Sequence, residues 1–421
     1  MRKVLIVGAG QSGLQLALSL LGHDYDVTVM SARTPDEIRS GKVMSTQCMF
    51  HSALQHERDH ELNLWEDETV RVEGLGVSIA GPDGADEPSA VERASGWSRV
   101  LDWFGPLEHF AQSVDQRVKM ASWLELVEER GGKVVIHGVT TSDLAPLAKL
   151  YDLVVIAAGK GELVQLFDRI PELSPYTEPQ RALSLAYVHG MEPRPEHPDK
   201  AAVRFNIIPG VGELFMIPAY TLSGNCDILF FEGVPGGPLD CWGDRPSPQA
   251  HLDRILSLMK QFLPWEYERS RNVVLTDEKA TLAGGYTPVV RNAVGKLPSG
   301  TVVLGMADVV VANDPITGQG SNNASHCAAS YLDSILDRGD KPFDEAWMTA
   351  AFDKYWEYAQ HVTTWTNAML RPPPPHVLQI IGAAGEKPAV AKRFANGFSD
   401  PTDFQHWFFD PAKAEKFLAE A

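Results

Sequence analysis

The chain has 421 residues, 44% of them hydrophobic and 22% charged, with a formal net charge of −18. That length exceeds one ordinary core and predicts two or three domains, while the acidic balance argues against nucleic acid or an anionic membrane as partner, since polyphosphate surfaces need a basic patch. No window approaches the roughly 18 uninterrupted apolar residues of a membrane helix, and the run after Met1-Arg2-Lys3 meets glycine too soon for a signal peptide, so a soluble, cytoplasmic protein is expected.

Val4 to Val7 reads as a buried strand, Gln11 to Leu21 as a helix packed on it, and Asp26 to Met30 as a second strand. This is the βαβ opening of a doubly wound α/β sheet. A polar, glycine-dotted stretch follows. Asp115 to Arg130 is an amphipathic helix with Val118, Ala121, Leu124 and Val127 along one face. Gly131-Gly132 ends it, and Lys133 to Ile136 is the next strand. Tyr151 to Gly159 is an apolar strand running into a glycine turn. From about Arg181 to Val289 the pattern alternates, with strands at Val203 to Ile208, Glu213 to Pro218 and Asp227 to Glu232. That change marks a second, largely antiparallel domain inserted in the first. Thr301 to Gly305 returns to the buried-strand style and Gly320 to Leu336 is a long helix. The remainder is helical, and Pro372 to Pro375 stop one helix and space the next.

Cys48, Cys226, Cys241 and Cys327 lie far apart, with no metal-ligand spacing, and read as reduced thiols. His51, His56, His60 and His326 read as structural, and no metal is expected.

Gly8-Ala9-Gly10-Gln11-Ser12-Gly13 is a complete GxGxxG between a strand and a helix. Glycines there permit a tight turn and bring a pyrophosphate to the helix N-terminus. The second strand ends Val29-Met30-Ser31-Ala32-Arg33, without the acid that would hold an adenosine ribose. A simple NAD-dependent dehydrogenase is therefore disfavoured. Ser31 can reach a ribose hydroxyl, and Arg33 is either a phosphate or adenine contact or a solvated turn residue. Further on, Leu304-Gly305-Met306-Ala307-Asp308 ends a buried strand with an acid, and Asn313 to Asn323 form a glycine-rich loop opening a helix. Gly318 and Gly320 let backbone N–H groups touch a planar ring, and the helix N-terminus favours negative charge. The pair resembles the second FAD fingerprint of the aromatic hydroxylase superfamily, in which the acid binds a ribityl hydroxyl. The superfamily has Gly directly before that acid, where this chain has Ala307.

The resemblance extends to the styrene and indole monooxygenases, the group E flavoprotein monooxygenases. It is carried by Pro35-Asp36-Glu37, Ser40-Gly41, Val114-Asp115-Gln116-Arg117, Arg130-Gly131-Gly132-Lys133, Tyr151-Asp152-Leu153, Asp314 to Gly320, and Trp365-Thr366-Asn367. Styrene-type members carry Asn, Val and His at alternate positions of one extended segment, and indole-type members Ser, Gln and Met. Here Ser45-Thr46-Gln47-Cys48-Met49 is the indole-type set. Period-2 spacing points the three side chains to one side; the plainer reading is ordinary core with Met49 filling space. Ala111 stands where indole-type members have a small apolar residue, and Val72 and Leu75 fill two further pocket positions.

What the resemblance implies is an α/β fold. Its Rossmann-like FAD-binding domain, of the para-hydroxybenzoate hydroxylase kind, spans 1–75, 110–165 and 290–345. An inserted antiparallel substrate domain spans 76–109 and 166–289, and a C-terminal helical segment 346–421. FAD would contact Gly8, Ala9, Gly10, Gln11, Ser12, Gly13, Ser31, Ala32, Arg33, Ser45, Arg117, Ala158, Gly159, Asp308, Pro315, Gly318, Gln319, Gly320, Ser321 and Asn322. Ser45, Gln47, Met49, Val72, Leu75, Ala111 and Pro315 would line the substrate pocket. Reduced FAD would arrive from a separate NADH-dependent flavin reductase and react with O₂ to a C4a-hydroperoxyflavin. That species would epoxidise the C2=C3 bond of indole, giving indoxyl and indigo, or oxidise related aromatic alkenes and sulfides. No side chain need act as acid or base. A homodimer is compatible with the sequence. The alternatives are a styrene-type epoxidase, an oxygenase of a larger indole natural product, a non-enzymatic flavin-binding protein and a self-sufficient NAD(P)H-dependent hydroxylase. The last usually carries an Asp-Gly motif that Tyr151 to Gly161 lacks.

Overall fold

Two large sheets organise the computed structural model, which describes residues 1–45, 47–82, 89–159 and 161–421. Thr46 of the pocket segment and Lys160 after the glycine turn lie outside the described residues.

The first sheet has six strands in the spatial order Val294–Lys296, Val302–Gly305, Leu153–Ile156, Lys3–Val7, Asp26–Ser31 and Lys133–Ile136. All neighbours are parallel except Val294–Lys296, which pairs antiparallel with Val302–Gly305. Parallel central strands are covered on both faces, which is why Val4, Leu5 and Ile6 are uninterrupted and fully buried. The helix Gln11–Leu21 crosses between the first two strands and buries every residue except Leu21. Gly13 lets it lie that close, because a Cβ there would meet the Gly8 carbonyl oxygen at 2.4 Å.

The second sheet has eight strands. In order these are Val274–Leu275, Ala182–His189, Gly224–Gly233, Gly212–Thr221, Ala202–Ile208, Val72–Pro82 and Trp97–Ala111, with Thr281–Gly285 also on Ala182–His189. Its pairings are antiparallel except Val72–Pro82 with Ala202–Ile208. Alternation places Val203, Phe215, Ile217, Ile228 and Phe230 on one face, against the C-terminal helices. Leu214, Met216, Leu229 and Phe231 take the other face, against the helices Pro248–Phe262 and Pro264–Ser270.

The sequence pattern did not suggest those two helices, or strands in the glycine-dotted stretch at 72–82 and 97–111. A helical stripe was nonetheless present, since Leu252, Ile255, Leu258, Met259 and Phe262 recur at intervals of three and four. The helix Glu345–Met369 ends before the proline run, and the next, Pro375–Ala383, begins within it. No described helix is long and apolar enough to cross a membrane.

Candidate functional site

The carboxyl ends of the first sheet's strands carry the nucleotide motif. Gly8 holds φ +123°, and a Cβ on it would lie 2.7 Å from the Ala157 carbonyl, so the two strand ends touch through glycine. This brings Gly8, Ala9 and Gly10 beside Ala158 and Gly159. Gly10 caps the helix Gln11–Leu21 with extended backbone, no side-chain hydrogen bond and no acid in the first turn. Space over Gly10 is open, since a Cβ there meets nothing within 4 Å. An uncapped N-terminus facing open space is an anion site. Gln11 and Ser12 are buried beneath it, and Gln11 Nε2 donates to Glu57 Oε1 at 2.9 Å. Glu57 also pairs with Lys119, both fully enclosed; burial lowers the Lys119 pKa against the pull of Glu57.

At the end of Asp26–Ser31, Ser31 Oγ donates to the Arg33 carbonyl at 2.6 Å and accepts from the Arg33 N–H at 3.2 Å. Ala32 and Arg33 are exposed, and the guanidinium lies across Met44 with Nη2 3.0 Å from Sδ.

Val302–Gly305 leads into Asp308, which is exposed in a short turn, Ala307–Val309. A Cβ on Gly159 would lie 2.8 Å from that of Asp308. Ala307 adopts φ +49°, the left-handed region that costs a residue bearing a Cβ about 1–2 kcal/mol. Alanine thus holds at 307 a left-handed backbone that glycine would adopt freely.

Asp314 opens the next turn, Pro315–Thr317, accepting from the Ile316 N–H at 3.1 Å. Gly318 follows at φ +63°, and a Cβ on Gly318 or Gly320 would meet nothing within 4 Å. The helix Gly320–Arg338 then starts without a side-chain cap. Side chains pin this loop on three sides. Thr317 Oγ1 and Thr366 Oγ1 are 2.7 Å apart, which gives the Trp-Thr-Asn motif its part. Gln319 Nε2 donates to the Phe398 carbonyl at 3.0 Å. Asn322 donates to the Cys48 carbonyl and accepts from the Phe50 N–H, both at 2.8 Å, tying the pocket segment to the helix. Ser321 is half-buried beside it.

Within that segment Ser45 Oγ donates to Gln47 Oε1 at 3.3 Å, and Tyr187 Oη donates to the Ser45 carbonyl at 2.7 Å. Gln47 is buried, with Nε2 lacking a partner among the described residues. Met49 pairs with Gln112 through the backbone and packs with Ala53 and Leu54. Cys48 and Phe50 join a different cluster, together with Val72, Leu75 and Ala111. Val72 sits directly opposite Ala111 in the sheet.

Pro315, Thr317 and Gly318 border a small chamber lined by Cys48, Phe50, Val203, Phe205, Phe215, Ile217, Phe230 and Phe398. Pro315 is thus brought together with Cys48 and Phe50, and Ser45, Gln47 and Met49 do not line that chamber. The sequence reading missed Cys48 and Phe50 by one step of strand parity, and the phenylalanines of the second sheet entirely. None of the chamber's side chains is charged, for burial pushes the Cys48 thiol up to about 12.

Arg117 is elsewhere. Fully buried, it donates to Asp115 at 2.9 Å, to Asp277 at 2.9 and 3.1 Å, and to Thr221 at 3.2 Å. Burial works against its charge, but the hydrogen bonds and charges of Asp277 and Asp115 outweigh it and raise the pKa. Its donors are engaged inside the protein by Asp115, Asp277, Thr221 and the Gly41 carbonyl.

Behind Pro315 lies an acidic cluster. Glu232 and Asp314 are fully buried, and the two carboxyls interact with each other. Arg181 pairs with Glu213 at 2.9 and 3.1 Å. Burial pushes Asp314 up to about 6, and Glu232 well above its ordinary range.

Among the described residues no group of three His, Cys, Asp or Glu side chains could hold a metal ion. His326 bridges Ser52 at 3.2 Å and His56 at 3.0 Å, and burial lowers it to about 3.

These residues fit FAD. The uncapped helix and open Gly10 suit a pyrophosphate, exposed Asp308 suits a ribityl hydroxyl, and Gly318 and Gly320 leave room for a ring. The unpartnered Gln47 Nε2 offers a buried donor to a planar carbonyl.

Residues 159–269 match the family model described as "Styrene monooxygenase A putative substrate binding domain". The chain is 30% identical to styrene monooxygenase StyA of Pseudomonas fluorescens over 411 residues, 95% of this chain and 93% of the relative. A second styrene monooxygenase StyA, from a Pseudomonas species, is 28% identical over 430 residues, covering 100% of this chain and 98% of the relative. Among solved structures, flavin-dependent brominase Bmp2 superposes with TM-score 0.63 at 14% identity, covering 99% of both chains. PqsL of Pseudomonas aeruginosa gives 0.59 at 14%, covering 88% of this chain and 95% of the other. At such identities the likeness shows the fold.

Proposed function

The chain belongs to the styrene monooxygenase family and is an FAD-dependent monooxygenase, and we propose that it is the oxygenase component of a two-component system acting on an indole-type aromatic alkene. The observation that carries this reading is the chamber beside Pro315 and Gly318, walled by aromatic and aliphatic side chains without a charge. Such a lining offers no charged group, which suits an uncharged substrate and leaves the chemistry to the cofactor. The resemblance of Ser45, Gln47 and Met49, with Val72, Leu75 and Ala111, to the indole-type set supports indole over styrene, although their side chains do not border that chamber.

FAD, when bound and reduced, supplies with O₂ the electrophilic oxygen. The chain's own residues do the rest. Gly8 to Gly13, with Ser31, Ala158, Gly159 and Asp308, hold the dinucleotide. Gly318 to Asn322 present a helix N-terminus, which favours negative charge. Phe50, Phe205, Phe215, Phe230 and Phe398 give the substrate's approach to Pro315 an apolar lining, and Phe205, Phe215 and Phe398 part to admit it. The flavin-binding part is assigned to 1–75, 110–165 and 290–345, the substrate part to 76–109 and 166–289, and the C-terminal helices to 346–421. A separate NADH-dependent flavin reductase delivers the electrons.

Purified protein with FAD, NADH, indole and an unrelated flavin reductase should form indigo, and should form none when the reductase is left out. Oxide from styrene with no product from indole would assign the styrene-type substrate instead. Bleaching of the flavin by NADH alone would overturn the two-component reading.

A further inference from the structure

The chamber beside the flavin loop is the inner of two cavities that meet at three phenylalanines. It measures only about 30 Å³, room for a water molecule or two and not for an aromatic ring. The outer cavity measures about 1170 Å³. It lies between one face of the antiparallel sheet, at Val77, Ile79 and Ile207, and the C-terminal helices, at Val377, Ile381 and Phe394. Phe205, Phe215, Phe398 and Thr317 line both cavities. Ring centroids are 5.0 Å apart for Phe205 and Phe215, and 5.2 Å for Phe205 and Phe398. These rings therefore form a partition that must part for a substrate to reach Pro315. At the far end the outer cavity opens to solvent between exposed Gly210, Arg371 and Leu378.

No residue of the Gly8 to Gly13 motif, nor Asp308, borders the outer cavity, so it is not part of the dinucleotide cleft. It exceeds the roughly 300–1,000 Å³ of pockets that enclose drug-sized ligands, and indole would leave most of it empty. Its walls are mostly apolar; of the charged residues that border it, Arg181 and Glu213 pair with each other at 2.9 and 3.1 Å, and Glu178, Asp240 and Arg371 are exposed to solvent. Away from those exposed groups the lining is apolar, and each methylene buried there would tighten binding about fourfold.

We propose that the substrate is larger than indole: an indole-type aromatic alkene bearing a bulky, uncharged, apolar substituent. The substituent fills the outer cavity, and Phe205, Phe215 and Phe398 part so that the ring bearing the double bond reaches Pro315, the inner chamber being too small for it while they are closed. This rests on the reading that the chain oxygenates an aromatic alkene.

The test compares indole with its four ring-benzyloxy isomers, with reduced FAD supplied by a reductase. At least one isomer should exceed indole tenfold or more in kcat/KM, mainly through KM. Val377→Trp, which fills the cavity, should lower the ratio of that isomer to indole at least tenfold. In parallel, that isomer should raise the melting temperature of the flavin-free protein more than equimolar indole does. Turnover of indole with no gain for any isomer would overturn this proposal and leave the monooxygenase reading standing. Absence of product from every indole would overturn the aromatic-alkene reading, and the melting shift would then decide for or against the large ligand by itself.

Discussion

Gly159 and Asp308 are pressed together at the carboxyl ends of two neighbouring parallel strands, close enough that a Cβ on the glycine would stand 2.8 Å from that of the aspartate. The parent strands pair Leu304 with Val155 and Gly305 with Ile156, so neither end can retreat without breaking the ladder. Gly159→Ala should push Asp308 off its position and weaken FAD binding about tenfold, equivalent to roughly 1.4 kcal/mol. Flavin fluorescence titration measures it, with far-UV circular dichroism unchanged. Unaltered affinity would show that Asp308 does not hold the cofactor.

That contact illustrates what the sequence discloses. Glycine motifs act through local backbone, so Gly8 to Gly13 and the loop from Asp314 to Gly320 were legible together with the strands and helices flanking them. Parity along an extended segment was legible too, but not which face met the chamber. Cys48 and Phe50, not Ser45, Gln47 and Met49, border Pro315, because Asn322 fixes the segment's register through the Cys48 carbonyl and the Phe50 N–H. Phe205, Phe215 and Phe398 reach the site from sheet strands and a C-terminal turn distant in sequence, and only tertiary packing brings them together. The pairing of Arg117 was illegible for a related reason. Its partner Asp277 lies 160 residues away, so the sequence offered a cation without showing that it was already paired.

Ala307 at φ +49° tests how much strain the ribityl-side turn tolerates. Ala307→Gly would release about 1–2 kcal/mol of left-handed strain. It would also lose the buried methyl, about 0.8 kcal/mol, and loosen the unfolded chain by about 0.4–1 kcal/mol. These nearly cancel, so urea denaturation should place this variant within about 1 kcal/mol of the parent. Ala307→Val adds a β-branch in the same conformation and should lose about 2 kcal/mol or more. Equal stability of the two variants would contradict the backbone assignment.

Arg117→Met should be costly to the fold and indifferent to the flavin. It would strand Asp115, 1% exposed, without its cation. Removing one partner of a buried pair costs about 3–5 kcal/mol, readable as a lower urea midpoint. The folded fraction should retain its FAD affinity. A variant of undiminished stability that binds FAD weakly would restore Arg117 to the cofactor site.

Asp314 makes stability fall with rising pH. Its carboxyl is raised from 3.8 to about 6, first by burial, which outweighs the Ile316 N–H, the hydrogen bond with Glu232 and the Arg181 charge that favour ionisation. A group raised in the folded state binds its proton more tightly there than in the unfolded chain. Its contribution is therefore complete below about pH 3.8 and lost as pH climbs through about 6. A shift of about two units corresponds to on the order of 3 kcal/mol. Asp314→Asn keeps an oxygen for the Ile316 N–H and cannot ionise beside Glu232. Between pH 5 and pH 7.5 the parent's melting temperature should drop relative to the variant's, so the variant gains most at the higher pH. Parallel melting curves across that window would mean that Asp314 is already ionised in the folded protein at pH 5 and that its burial does not raise its pKa.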